Sequence, residues 1–252
     1  WQPELSIALP VVYNVLMLHL TSISQDKRSM ITLHHLENSR SQRILWLLEE
    51  LGVEYEIKRY ERDPKTNLAP DSLKAIHPLG KSPLITDGGK TIAESAVIIS
   101  YLIRTYGKDS GLIPDAGSKA EDQADYWLHF AEGSLMPYLV MTLVFNKVKN
   151  APMPFFIRPI AKGIADQVLK SFVTPNVVSS MSFINDHLSR NTWFAGDKMT
   201  AADFQMIFPL EAALNRSEAA KQLPAIQKFV ERVHATDTYK AALKKGGPYD
   251  YA

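Results

Sequence analysis

No cysteine occurs anywhere in the 252 residues. That excludes disulfides, thiolate metal ligation and a cysteine nucleophile, and it fits a reducing compartment. Charge bias is equally scarce. There are 28 Lys and Arg against 27 Asp and Glu, a formal net charge of +1, with no block of like charges to recruit nucleic acid or an anionic surface. Long apolar runs are missing too. Residues 7–20 are apolar but broken by Pro10, Asn14 and His19, too short to span a bilayer and without the basic start of a signal peptide. No stable membrane insertion is expected, and residues 1–29, which carry no site chemistry, read as an extension outside the core fold. What is plentiful is apolar content, 46%, enough for a large core in one or two domains.

Regular structure begins near Met30. Residues 31–36, ITLHHL, alternate as a strand does, Glu37-Asn38-Ser39 makes a turn, and Ile44, Leu45, Leu47, Leu48 and Leu51 form a helical face stopped by Gly52. Residues 55–60, YEIKRY, alternate again. Strand, helix and strand within about thirty residues form a βαβ unit with parallel strands. A second helix is expected over residues 70–76.

The most informative stretch is residues 77–95, HPLGKSPLITDGGKTIAES. Pro83 stands between the turn Gly80-Lys81-Ser82 and the apolar pair Leu84-Ile85, so it opens a strand whose ladder lacks one N–H. A cis bond before Pro83 would turn the N–H and C=O of Ser82 outward together, toward another peptide backbone. Asp87-Gly88-Gly89 is a hairpin turn. Glu94-Ser95 then starts a helix, placing a carboxylate, a hydroxyl and free helix N–H groups together. Such a site suits a ligand bearing both an ammonium and a carboxylate.

The order G-K-S-P-L, a DGG hairpin and A-E-S-A resembles the glutathione site of the cytosolic glutathione transferases. The resemblance is nearest to fungal and proteobacterial serine-type members, which begin with a short strand and a Ser-Arg-Ser or Ser-Arg-Ala turn and later carry HPLG-[KR]-SP. It implies an α/β thioredoxin-like domain (βαβαββα) over residues 30–107, a linker over 108–117 and an all-α helical C-terminal domain over 118–252. It also implies that Ser82 pairs with the cysteinyl backbone of glutathione beside a cis Pro83, that Glu94 and Ser95 hold the γ-glutamyl end, and that Lys81 meets the glycyl carboxylate. Family members place Tyr, Ser or Cys beside the thiol. Here a small polar side chain ahead of the first helix, among its unpaired N–H groups, suits that role. Ser39 is the candidate, Asn38 fits if the register is counted from Arg43, and Ser41 is a third choice. Holding the thiolate there makes glutathione, the co-substrate, a better nucleophile. No metal is implied. Without cysteine the chain departs from members that form mixed disulfides with glutathione.

After residue 117 the pattern is helical. A long helix over residues 118–149 is expected to bend near Gly133 or Pro137, with further helices over 157–173, 177–188, 200 onward, 224–234 and 239–243, and order ending at Gly246-Gly247-Pro248. Thr200 and Asp203 read as a helix cap serving stability, Arg43 as an ion-pair partner, and His77 as a turn residue. Tyr126, Phe130, Met136, Tyr138 and Met141 are candidates to line the pocket for hydrophobic electrophilic small molecules. The resemblance further implies a cytoplasmic homodimer.

Overall fold

The computed structural model describes residues 30–216 and 220–252; the expected extension lies outside the described residues. Four strands form one sheet in the order β2-β1-β3-β4, from β1 (Ile31–Leu36), β2 (Tyr55–Tyr60), β3 (Leu84–Asp87) and β4 (Lys90–Ala93). β1 and β2 run parallel, with Ile31 opposite Tyr55, while β3 is antiparallel to both β1 and β4. The βαβ unit is therefore present as expected. Its helix, α1 (Ser41–Leu51), is buried along Ser41 to Leu48 because it is covered on two sides, by β1 and by the helical half. Gly52 ends α1 at φ 61, a left-handed position that a side chain would strain.

Residues 70–76 differ from expectation. They form a single 3₁₀ turn, Asp71–Leu73, and further turns. Leu73 alone is fully buried there, so a longer helix would have no apolar face to bury. The hairpin β3–β4 leads directly into α2 (Ser95–Tyr106).

The helical half contains α3 (Lys119–Phe130), α4 (Met136–Asn150), α5 (Arg158–Val168), α6 (Thr174–Leu188), α7 (Ala201–Arg216), α8 (Pro224–Ala235) and α9 (Asp237–Gly246). α3 and α4 are one helix joined by a widened π turn, Ala131–Leu135, and α5 and α6 are joined likewise by Leu169–Val173. The second junction was expected as a break. Both widened turns precede a proline, Pro137 or Pro175. A proline ring crowds the carbonyl four residues earlier, here that of Gly133 or Ser171, and each of those carbonyls lies inside the turn where the spacing has opened.

One core joins the two halves. Trp46 of α1 packs on Phe204 of α7, ring centres 4.2 Å apart, and on Tyr239 of α9 at 5.8 Å. Beside it the Arg43 guanidinium, fully buried, donates to Glu132 and to the Gln205 carbonyl, each at 2.6 Å, the ion pair expected of it. Asp203 accepts the N–H groups of Phe194 at 2.9 Å and Thr200 at 2.7 Å, a cap remote from the clefts described below. Residues 248–251 are also held in place: Tyr249 donates to the buried Glu211 at 2.6 Å, and the Asp250 backbone meets Asn38 and Asn215. Their anchors are a carboxylate and two side-chain amides in other parts of the chain, which no helical or strand period reveals.

Candidate functional site

The site is built where β1, β3 and the starts of α1 and α2 converge. β1 ends at Leu36, and the chain turns through Asn38 at φ 46 before α1. Ser39 sits in that turn with its hydroxyl turned in toward the protein: Oγ donates to the Leu36 carbonyl at 2.7 Å, lies 2.8 Å from Ser41 Oγ and 3.5 Å from Ser82 Oγ, and accepts the Ser41 N–H at 3.2 Å. The last contact ties Ser39 to the positive end of α1.

Behind Ser39 runs a chain of polar groups. Ser41 Oγ is 2.9 Å from His35 Nδ1, and the imidazole also bonds the Gly246 carbonyl. Burial, helped by the Arg59 charge, lowers the His35 pKa to about 4, so the ring is neutral at physiological pH. With one nitrogen donating to a carbonyl, the other accepts the Ser41 proton. Ser41 is fully buried, which removes it as a direct ligand contact.

Asn38 points elsewhere. Its amide nitrogen donates to the Asp250 carboxylate at 2.8 Å and its oxygen accepts the Asp250 N–H at 2.9 Å, so both ends of the side chain are occupied by residue 250.

On the facing wall the Ser82–Pro83 bond is cis. The Ser82 hydroxyl donates to the His34 carbonyl at 3.1 Å, and among the described residues no hydrogen bond engages the Ser82 backbone N–H or C=O. Across from the turn, Glu94 adopts φ 69, a region a non-glycine residue enters at a cost, and Ser95 begins α2.

Two clefts meet at Ser82. One, of about 220 Å³, is walled by Arg40, His77, Lys81, Pro83, Glu94, Ser95 and Glu132. The other, of about 580 Å³, has Asn38, Ser39, Arg62, Leu68, Leu79 and Phe208 among its walls; both include Arg40, Leu79, Lys81 and Ser82. Every thiol- and glutathione-contact residue expected from the sequence thus lines one of the two clefts, with Ser41 just behind. His77 keeps its turn role, since its carbonyl accepts the Gly80 N–H at 2.8 Å.

The expected electrophile-lining set is not brought here. Neither cleft includes Tyr126, Phe130, Met136, Tyr138 or Met141. Tyr126 and Phe130 line a separate shallow groove with His129 and Gly133, and Tyr138 packs on Phe172 with ring centres 5.8 Å apart. Tyr126 and Phe130 face Phe183 of α6, and the helical half reaches the clefts through Phe208 and Glu132 instead.

Glu132 bonds Arg40 at 2.9 Å as well as Arg43. Burial pushes its pKa up, but the Arg43 and Arg40 charges outweigh that and hold it below the usual value. One signal marks it in the sequence: it is the only acidic residue between Asp125 and Asp166. Phe208 and Asp250 have no comparable signal.

A thioredoxin-like sheet that presents a proline turn to a helix start, with a helical half behind it, makes a protein of two unlike halves with a cleft open to a short peptide backbone. Comparison with known proteins narrows this. Residues 28–104 match the glutathione S-transferase N-terminal domain and residues 151–237 the C-terminal domain. Glutathione S-transferase 1 of Saccharomyces cerevisiae is 37% identical over 224 residues, 86% of this chain and 95% of that one. Glutathione S-transferase 3 of Schizosaccharomyces pombe is 38% identical over 217 residues, 86% and 88% of the two chains. A crystal structure of a glutathione S-transferase from Actinobacillus pleuropneumoniae superimposes with TM-score 0.71 at 33% identity, over 88% of this chain and 95% of that one. The chain belongs to the glutathione S-transferase family and is a glutathione transferase.

Proposed function

We propose that Ser39 holds the glutathione thiol as a thiolate and that the sulfur then adds to an electrophilic carbon of a hydrophobic small molecule. The observation that carries this reading is the Ser39 hydroxyl, 3.5 Å from Ser82 Oγ at the meeting of the two clefts, while the Asn38 amide is bound to Asp250. The free N–H and C=O of Ser82 suit the cysteinyl backbone of the tripeptide. Glu94 suits the γ-glutamyl ammonium, Ser95 and the α2 N–H groups its carboxylate, and Lys81 the glycyl carboxylate.

The thiol proton leaves to solvent on binding. The thiolate, desolvated and oriented, attacks the electrophile, and the leaving group departs with the displaced electron pair. The same thiolate attacks a peroxide oxygen, releasing an alcohol and leaving a glutathione sulfenic acid that a second glutathione converts to the disulfide. Residues 30–107 form the glutathione-binding domain, 108–117 the linker and 118–252 the helical domain of a cytoplasmic homodimer. Retention on immobilised glutathione together with conjugation of a halogenated dinitrobenzene tests the reading. Retention without conjugation or peroxide turnover would make the chain a glutathione-binding module.

A further inference from the structure

The helical half carries an apolar face that thiol chemistry does not use. Within the continuous helix Lys119–Asn150, an 18-residue stretch has mean hydropathy 1.3, yet only 22% of it is buried. The helix meets the length and composition needed to cross a bilayer, but its first turns carry Glu121, Asp122 and Asp125 and it buries Trp127 in the core, so it belongs to the folded domain. Apart from Tyr126, its exposed large apolar side chains fall on α4. Val140, Val144 and Val148 recur every four residues and are all exposed, one stripe along the helix.

The stripe continues beyond α4. Phe155 is 83% and Phe156 64% exposed, and their rings meet edge-on at 5.5 Å. Ile160 and Ile164, one turn apart on α5, are exposed as well. α5 lies against α4, with Lys149 bonded to Asp166 at 2.5 Å, so these side chains form the tip of one helical hairpin. An exposed apolar area of this kind marks an interaction surface.

Charge identifies what the surface fits. Between residues 136 and 176 there are five cations, Lys147, Lys149, Arg158, Lys162 and Lys170, against the single acid Asp166. The whole chain carries only +1. The sequence has no block of like charges, but four of these five, Lys147, Lys149, Arg158 and Lys162, lie on the two packed helices that flank Phe155 and Phe156. A second copy related by a two-fold axis would meet the same patch and set the cations against their equivalents, an unfavourable contact. A basic helical hairpin with aromatic side chains at its tip has instead the composition of an element that lies in the headgroup layer of a membrane.

We propose that the α4–α5 tip docks the enzyme on an anionic lipid surface, with Phe155 and Phe156 entering the acyl boundary and Lys147, Arg158 and Lys162 meeting anionic headgroups. The contact is peripheral, with the long helix kept in the folded domain. It would hold the enzyme where hydrophobic electrophiles concentrate, and it stands independently of the role given to Ser39.

The test is co-sedimentation of the full chain with vesicles of phosphatidylcholine alone and of phosphatidylcholine with one-third phosphatidylserine, at low and high salt. The unmodified chain is expected to bind the anionic vesicles and to be released as salt screens the headgroups. The double variants Phe155→Ser with Phe156→Ser and Lys147→Glu with Lys162→Glu are each expected to lower the partition coefficient about tenfold or more, with turnover of a water-soluble acceptor unchanged. No binding by the unmodified chain would overturn the proposal, and so would undiminished binding by the phenylalanine variant, which would put the contact elsewhere. A phenylalanine variant whose mass in solution is half that of the unmodified protein would also overturn it, because the face would then be an interface between copies.

Discussion

Replacing Ser39 by Ala probes the thiol-activating step directly, and its size follows from the hydrogen bonds already present. Without ligand, the Ser39 hydroxyl donates to the Leu36 carbonyl at 2.7 Å. To donate to a bound thiolate it must leave that carbonyl, so the sulfur gains only the difference between a charge-assisted and a neutral hydrogen bond, about 1 to 1.5 kcal/mol. That is about one pKa unit. In the variant the Leu36 carbonyl has Ser41 Oγ 3.2 Å away, which reaches it only by turning its proton from His35. Ser39→Ala is therefore expected to raise the pKa of bound glutathione by about one unit and to lower kcat/KM about tenfold below that pKa, with the two proteins converging in alkaline solution. Thiolate absorbance of the binary complex across pH, read beside the rate profile, measures both quantities. An unchanged ionisation profile in Ser39→Ala, or the expected change appearing in Asn38→Ala instead, would refute the assignment.

The other expectations concern binding and stability. Glu94→Gln removes the carboxylate assigned to the γ-glutamyl ammonium and should raise KM for glutathione about tenfold while leaving kcat within about a factor of two; an unaltered KM would remove Glu94 from the site. Arg43→Met leaves the Gln205 carbonyl without its donor and Glu132 with Arg40 alone, and urea unfolding should show a loss of about 3 kcal/mol or more. A loss under about 1 kcal/mol would show that the guanidinium is not the main tie between the halves. His35 has its folded pKa lowered from 6.5 to about 4. Between those values the unfolded chain binds a proton that the folded one refuses, so stability is complete above about pH 6.5 and falls by about 3 kcal/mol by pH 4. His35→Gln should flatten that slope in acid unfolding, and an identical slope would assign it to other groups.

The parts of the molecule that were legible in sequence are those whose signals are local. The βαβ unit announced itself through strand alternation and a helical face ended by Gly52, and the wall from Lys81 to Ser95 through a proline turn, a hairpin and a helix start in close succession. Residues 70–76 misled because propensity suggested a helix where only Leu73 had a core to enter. The aromatic residues of the long helix misled differently: helical spacing shows that Tyr126, Phe130 and Tyr138 occupy related faces but not which neighbour those faces meet. Glu132 and Phe208 reach the clefts, and Asp250 reaches Asn38, from distant parts of the chain, and their convergence is a product of packing that no single segment encodes. The basic helical hairpin is of the same kind, since the cations of α4 and those of α5 share one element only when the two helices fold against each other.

The two widened turns, ahead of Pro137 and Pro175, also govern azimuth. Each inserts one extra residue relative to a regular helix, and one residue corresponds to about 100° of rotation about the axis. The valine stripe of α4 is thus oriented by residues 131–135. Were the same residues wound there as an ordinary α-turn, Val140, Val144 and Val148 would swing by about 100° round the axis. The direction in which this surface looks is set upstream of the surface itself, by the accommodation of a single imino acid.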